Sequence, residues 1–280
     1  MKKPELLLDR LHFPEGPRWH DGRLWFSDMH AYEVIAVDMN GKAQSIVTVP
    51  NWPSGLGWLP NGQLLVVSMT DRRLMRLENG KLVLHADLSK LASFHCNDMV
   101  VDAQGRAYVG NFGFDLMAKE TPKTTRLIRV DADGHVEIAA EDVFFPNGAV
   151  ITPDNRTLIL AETFGRKLTA FDIGTDGKLS NRRLWADLNG RVPDGICLDA
   201  EGAIWVACPP TNEAVRVREG GKVEDVVTFD RGAYACMLGG EKGDDLFVLI
   251  CKQGDPEICR TTFTGQVQVL KVDAPRAGLP

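Results

Sequence analysis

Six short segments carry the residues best suited to chemistry, and they recur in phase along the chain: Phe13-Pro14-Glu15-Gly16, Trp52-Pro53-Ser54-Gly55, His95-Cys96-Asn97-Asp98, Phe145-Pro146-Asn147-Gly148, Val192-Pro193-Asp194-Gly195 and Tyr234-Ala235-Cys236. Four of the six aligned positions hold side-chain oxygens suited to a metal: the carboxylates Glu15 and Asp194 and the amides Asn97 and Asn147. These are hard ligands, suited to one divalent cation, Ca²⁺ first and Zn²⁺, Mn²⁺ or Mg²⁺ as alternatives. Two carboxylates brought together without a cation repel, and one of them keeps its proton. Any one segment reads as a turn, because Asn and Asp before Gly are common turn formers. Oxygen-bearing residues in phase in repeats one, three, four and five are hard to produce by turn chemistry alone.

A cation at such a site polarises an ester carbonyl and lowers the pKa of water, and Asp194 is placed to take or orient the water's proton. No other group in the chain is a better nucleophile. There is no Gly-x-Ser-x-Gly elbow, and the six histidines form no His-Glu-x-x-His pair. Ser54 has no base beside it in the sequence.

The elements that must bring these residues together are also repeated. A turn followed by a short apolar strand appears at Asp21–Phe26, Asn61–Val66, Gln104–Val109, Asp154–Ile159, Glu201–Val206 and, more loosely, Gly243–Val248, at intervals of 40 to 51 residues. An alternating strand follows each copy, as in Val34–Asp38, Leu74–Leu77, Leu127–Val130, Leu168–Asp172, Ala214–Val217 and Ile258–Thr261. Helical periodicity exceeds two turns nowhere, Leu82 to Leu91 being the nearest candidate. Multi-strand repeats of this length predict an all-β, six-bladed β-propeller with four-stranded blades. The strand at Glu5–Leu8 is expected to complete the last blade, so that residues 1–280 form one domain. The six ring positions then face one end of a central channel. Residues 112–125, rich in Gly, Lys, Thr and Pro, read as a long surface loop or lid.

These motifs resemble the SMP-30/gluconolactonase/regucalcin family of propeller lactonases. The resemblance rests on Phe13–Trp19, on Asn97-Asp98 with Asp102 and Gly105-Arg106, on Pro146–Gly148 with Asp154, and on Pro193–Gly195 with Asp199 and Gly202. It spans essentially the whole chain. It implies a divalent cation held by Glu15, Asn147 and Asp194, with Asn97 as a further ligand or substrate contact, and Asp194 as general base in opening a cyclic ester. One departure stands out: His95 occupies the place where sugar-lactonase members commonly carry an arginine, and an imidazole makes fewer hydrogen bonds than a guanidinium. With Trp52, Phe112, Phe114, Tyr234 and Met237 expected around it, the substrate is read as a lactone less polar than a sugar lactone. The alternatives are a strictosidine-synthase-like propeller enzyme and a non-catalytic calcium-binding propeller.

Composition sets the outer bounds. Of 280 residues, 44% are hydrophobic and 25% charged, as in an ordinary globular protein. The net charge of −6, with no basic block, argues against a nucleic-acid or anionic-membrane partner. The basic start lacks the apolar stretch of a signal peptide, so a cytoplasmic monomer or homodimer acting on a small-molecule lactone is expected. Cys96, Cys197, Cys208, Cys236, Cys251 and Cys259 form no Cys-x-x-Cys pair and read as buried thiols. Trp25 and Trp205 are expected in the core between blades, and Arg18, Arg106 and Arg166 to pair with aspartates. Glu162 is a further candidate to reach the channel.

Overall fold

The computed structural model describes residues 3–280. Six antiparallel four-stranded sheets form a ring. Their first strands are Pro14–His20, Pro53–Trp58, Cys96–Val101, Pro146–Ile151, Ile196–Leu198 and Gly232–Gly239. Each touches the first strands of both neighbouring blades, and the sixth touches the first, so these strands line the channel. The sixth blade takes its outermost strand, Glu5–Leu11, from the start of the chain, where it pairs with Gly265–Lys271. This closure removes the open sheet edges that a half-finished ring would expose.

The apolar turn-strand units fall where their alternation puts them, as second strands packed on both faces. Leu24, Phe26, Leu65, Tyr108, Leu158, Trp205 and Phe247 are all buried there. Trp205 joins the core between blades as expected, while Trp25 keeps partial exposure and donates its indole N–H to the His20 carbonyl at 3.1 Å. The turns are stapled by their aspartates. Asp102 accepts from the Gln104 and Arg106 amides at 2.9 and 2.8 Å and from Arg106 Nε at 2.6 Å, and Asp199 repeats the pattern with Glu201, Ala203 and Arg216.

Each of the first four channel strands carries one extra residue next to its ring position. Two residues of the first strand stand opposite one of the second between Glu15 and Arg18, Pro53 and Leu56, Cys96 and Met99, and Pro146 and Ala149. Such bulges turn side chains out of the regular alternation. They are the local cause of Glu15, Asn97 and Asn147 facing the channel mouth. In the fifth blade the regular strand starts only at Ile196, and Asp194 is held by its amide to the Ala207 carbonyl at 2.9 Å. The glycines after the ring positions serve close approach as much as turning: a Cβ on Gly148 would stand 2.6 Å from the Ile196 nitrogen, and one on Gly55 2.5 Å from that of Met99.

One local expectation is corrected. Ile258–Thr261 is no strand: Pro256–Thr262 is a helix, here α1, started by Asp255, whose side chain accepts from the Glu257 and Ile258 amides. Pro256 at its first turn suits a helix start. The third strand of the sixth blade is Gly265–Lys271. The Leu82–Leu91 stretch, the nearest candidate for helical periodicity, is not helical, in keeping with the all-β reading; Lys81–Asp87 is the outer strand of the second blade. Residues 112–124 form the expected loop between Ala107–Asn111 and Thr125–Val130. No helix among the described residues is long and apolar enough to cross a membrane.

Candidate active site at the channel mouth

One cavity of about 390 Å³ opens at the ring end of the channel, and Glu15, Asn97, Asn147 and Asp194 all line it. Its walls are apolar, with Phe13, Met29, Trp52, Met69, Phe112, Phe145 and Tyr234. The 112–124 loop adds Leu116, Met117 and Lys119, and Gly254 and Asp255 close the remaining side.

The electrostatics of the two carboxylates are unusual for a folded protein. Burial, then the charge of Asp194, pushes Glu15 well above the ordinary carboxylate range, against the pull of the Gly16 amide, which donates to Oε2 at 3.0 Å. Burial likewise raises Asp194 to about 8, against a hydrogen bond from Asn147. No Lys, Arg or His forms an ion pair with either carboxylate among the described residues. Two like charges in one low-dielectric site call for a counter-cation. The donor chemistry fits: two carboxylates and two amide oxygens suit a hard divalent ion. No group of three or more His, Cys, Asp or Glu side chains among the described residues offers an alternative metal site.

The neighbours hold this set in place. Asn147 Nδ2 donates to Thr163 Oγ1 at 3.2 Å, and Ser54 Oγ donates to Asn97 Oδ1 at 3.4 Å. Ser54 is itself buried and outside the lining, which makes it a support for Asn97; Ala235, the sixth ring position, is also buried.

The expected walls are met in part. Trp52, Phe112 and Tyr234 line the cavity. Phe114 does not: it is buried behind the wall against Phe145 and Phe164, with ring centroids 5.8 and 5.3 Å away. His95 is also behind the wall, stacked on Phe94 at 4.1 Å and meeting Trp52 and Phe112 at 6.0 Å. Its imidazole finds better packing there than in the opening, so neither residue is a direct lining contact. Met237 belongs to the core between blades. Glu162 is buried away from the cavity, bound by Thr169, Arg182 and the Phe144 amide. Among the wall residues missed, Met29 and Met69 carry no signal in the six ring segments, but Phe13 and Phe145 do. Both stand two residues before a ring position, as Trp52 and His95 do.

The fold and the oxygen-lined mouth together define a six-bladed propeller with a candidate cation site at one end of its channel. The sequence matches the SMP-30/Gluconolactonase/LRE-like region over residues 13–252, and the chain belongs to that family. Regucalcin of Bos taurus is 27% identical over 263 residues, covering 89% of this chain and 86% of the relative. Among solved structures, a luciferin-regenerating enzyme superposes with a TM-score of 0.85 at 20% identity, covering 100% of this chain and 99% of the other. A calcium-binding regucalcin from Agrobacterium tumefaciens gives 0.84 at 21%, covering 100% and 97%. A gluconolactonase from Xanthomonas campestris gives 0.76 at 22%, covering 100% and 90%.

Proposed function

We propose that this protein is a divalent-metal-dependent hydrolase that opens lactones less polar than sugar lactones. The observation that carries the proposal is the pairing of two half-buried carboxylates and two amides, with no ion-paired protein cation among the described residues, in a cavity whose walls are otherwise mainly aromatic and apolar. Family membership supports lactonase-type chemistry in general.

Glu15, Asn147 and Asp194, with Asn97 as a further ligand or substrate contact, would hold the cation. When bound, it supplies Lewis acidity to the ester carbonyl and balances the negative charge that develops there. Asp194 accepts the proton of the attacking water; the hydroxyl adds to the acyl carbon, the ring C–O bond breaks, and the leaving oxygen takes up a proton, giving a hydroxy acid. Asn147 keeps the Asp194 carboxylate oriented through its amide hydrogen bond. Trp52, Phe112, Phe145 and Tyr234 seat the hydrocarbon part of the ring and keep bulk water away. Few polar groups face that part of the cavity, which favours an aliphatic or aromatic lactone over a polyhydroxylated one.

The test is turnover of an aldonolactone and of an aliphatic or aromatic lactone with Ca²⁺, Mg²⁺, Mn²⁺ or Zn²⁺ added. Metal-dependent opening of the less polar substrate is expected, and Asp194→Ala should lower kcat/KM by about 10²- to 10⁴-fold with the fold retained. Preference for the aldonolactone overturns the substrate assignment. No turnover of any lactone with any of the four metals overturns the enzyme, and leaves a calcium-binding propeller. The regucalcin relatives are the observation that favours that second reading.

A further inference from the structure

One backbone hydrogen bond recurs beside the mouth in each of the first four blades. The amides of Met29, Met69, Phe112 and Thr163 donate to the carbonyls of Phe13, Trp52, His95 and Phe145 at 3.0, 2.9, 2.9 and 3.1 Å. Strand register sets the position: each donor follows directly on the second-strand residue paired with the start of the channel strand, as Thr163 follows Glu162, the partner of Pro146. Equivalent backbone positions would be expected to carry equivalent side chains. Three of them do, for Met29, Met69 and Phe112 are large, apolar and line the cavity. Thr163 is the exception, 9% exposed and outside that lining. Its hydroxyl accepts from Asn147 Nδ2 at 3.2 Å.

That bond sets which end of the Asn147 amide is offered to the cavity. An asparagine amide carries donor hydrogens on its nitrogen and lone pairs on its oxygen, and only the oxygen can ligate a hard cation. With Nδ2 held by Thr163, Oδ1 is the atom left to the cavity that Asn147 lines, and no group among the described residues donates to it. Thr163 is itself fixed. Its amide is bound to Phe145, two residues before Asn147, and its carbonyl accepts from the Arg166 amide at 3.3 Å in the turn after the second strand. Backbone and side chain therefore grip the entry of the fourth channel strand at two points.

We propose that Thr163 is a positioning residue of the cation site, holding the Asn147 amide with its oxygen toward the ion; this rests on the reading of Glu15, Asn147 and Asp194 as the ligands. A Met or Phe at this position, as in the first three blades, would fill the wall and leave the amide free to turn. What the fourth blade supplies instead is a hydroxyl. Partners one step behind the ligands commonly change metal affinity by about 10- to 100-fold, because they fix the orientation of the ligating atom before the ion arrives.

The experiment reads cation binding directly, with no substrate present. Metal-stripped full-length protein and its Thr163→Val, Thr163→Ala and Thr163→Ser variants are titrated by calorimetry with Ca²⁺, Mg²⁺, Mn²⁺ and Zn²⁺. For the cation that the wild type binds, Thr163→Val, which keeps the shape without the hydroxyl, should bind about 10- to 100-fold more weakly, and Thr163→Ser, which keeps the hydroxyl, within about threefold of wild type. Thr163→Ala should match Thr163→Val, and it carries the test if the valine variant does not fold. Undiminished affinity in the valine and alanine variants, or a loss in Thr163→Ser as large as in Thr163→Val, would overturn the positioning role and leave the cation site standing. Wild-type protein that binds none of the four ions would overturn the cation site itself, and the role of Thr163 with it.

Discussion

Carboxylates withdrawn from solvent occur in two settings in this propeller, on or beside its channel strands. Asp98 follows Asn97 directly and is bound to Arg18 at 2.6 Å; Asp102 is bound to Arg106 at 2.6 Å and Asp199 to Arg216 at 2.7 Å. Glu15 and Asp194 form no such ion pair among the described residues; the charge of Asp194 bears on Glu15, and that of Asp98 on both. The first group shows that this fold readily supplies a guanidinium where a carboxylate serves structure. Its absence at the channel mouth marks that pair as held ready for something from outside the chain.

The sharpest way to break this contrast is to remove a charge from each setting. Arg18 also donates to the Leu56 and Pro17 carbonyls at 2.9 and 2.7 Å and is 4% exposed. Arg18→Met leaves Asp98 charged and buried, and should lower unfolding stability by about 3–5 kcal/mol. Asp194→Asn, in protein stripped of metal, should cost nothing or raise stability, since it removes a like charge from Glu15. Urea unfolding of both variants in chelator measures the difference. Equal losses in the two would mean that Asp194 is paired in a way its surroundings do not show.

A second measurement separates charge from burial. His30, in the single-turn helix Met29–Ala31 behind the cavity wall, is 3% exposed and stacks on Phe13 at 5.2 Å, and the nearby Gly254 backbone offsets its burial only in part. Burial, with the nearby Arg260 charge in the same direction, lowers its pKa to about 4. Unlike Glu15 and Asp194 it avoids the need for a counter-ion by staying neutral. The sign follows from that lowering. Above pH 6.5 both folded and unfolded imidazoles are neutral; as pH falls from 6.5 toward 4 only the unfolded chain takes up the proton, and stability is lost. The loss approaches roughly 3 kcal/mol. His30→Leu should therefore gain on wild type progressively from pH 7 to pH 4.5 in denaturant melts, and parallel pH curves would refute the assignment.

The ring of oxygens was legible in the sequence because six copies of one unit report the same position six times. Its wall was less so. Phe13 and Phe145 occupy the same phase as Trp52, but one blade's side chain in that phase, His95, turns aside onto Phe94, and no spacing rule reveals such a rotation. Arg106 and Asp102 stand four apart in one turn, and their pairing was expected; Arg18 finds Asp98 eighty residues away on the channel strand two blades on, a partner only the packing of the blades supplies. Arg166 makes no ion pair among the described residues; it takes the left-handed turn position at φ 52° and offers its carbonyl to the Leu188 amide. Helix α1 is seven residues long, too short for an apolar stripe to repeat, and only the Asp255-Pro256 start signal announced it.

The smallest effect is expected from a charge pair in neither setting. Lys123 and Glu120 meet at 2.9 Å on the 112–124 loop with side chains 55% and 46% exposed. Water screens such a pair and the two long side chains lose rotamer freedom in forming it. Lys123→Ala should leave the thermal midpoint unchanged within error. Glu120 also accepts from the Asp115 amide at 2.8 Å, so the loop keeps its fold without the lysine. If the midpoint drops or KM changes while the blades stay folded, the pair does more than decorate the surface. It would then be holding the loop, and with it Lys119, against the rim of the cavity that Glu15 and Asp194 share.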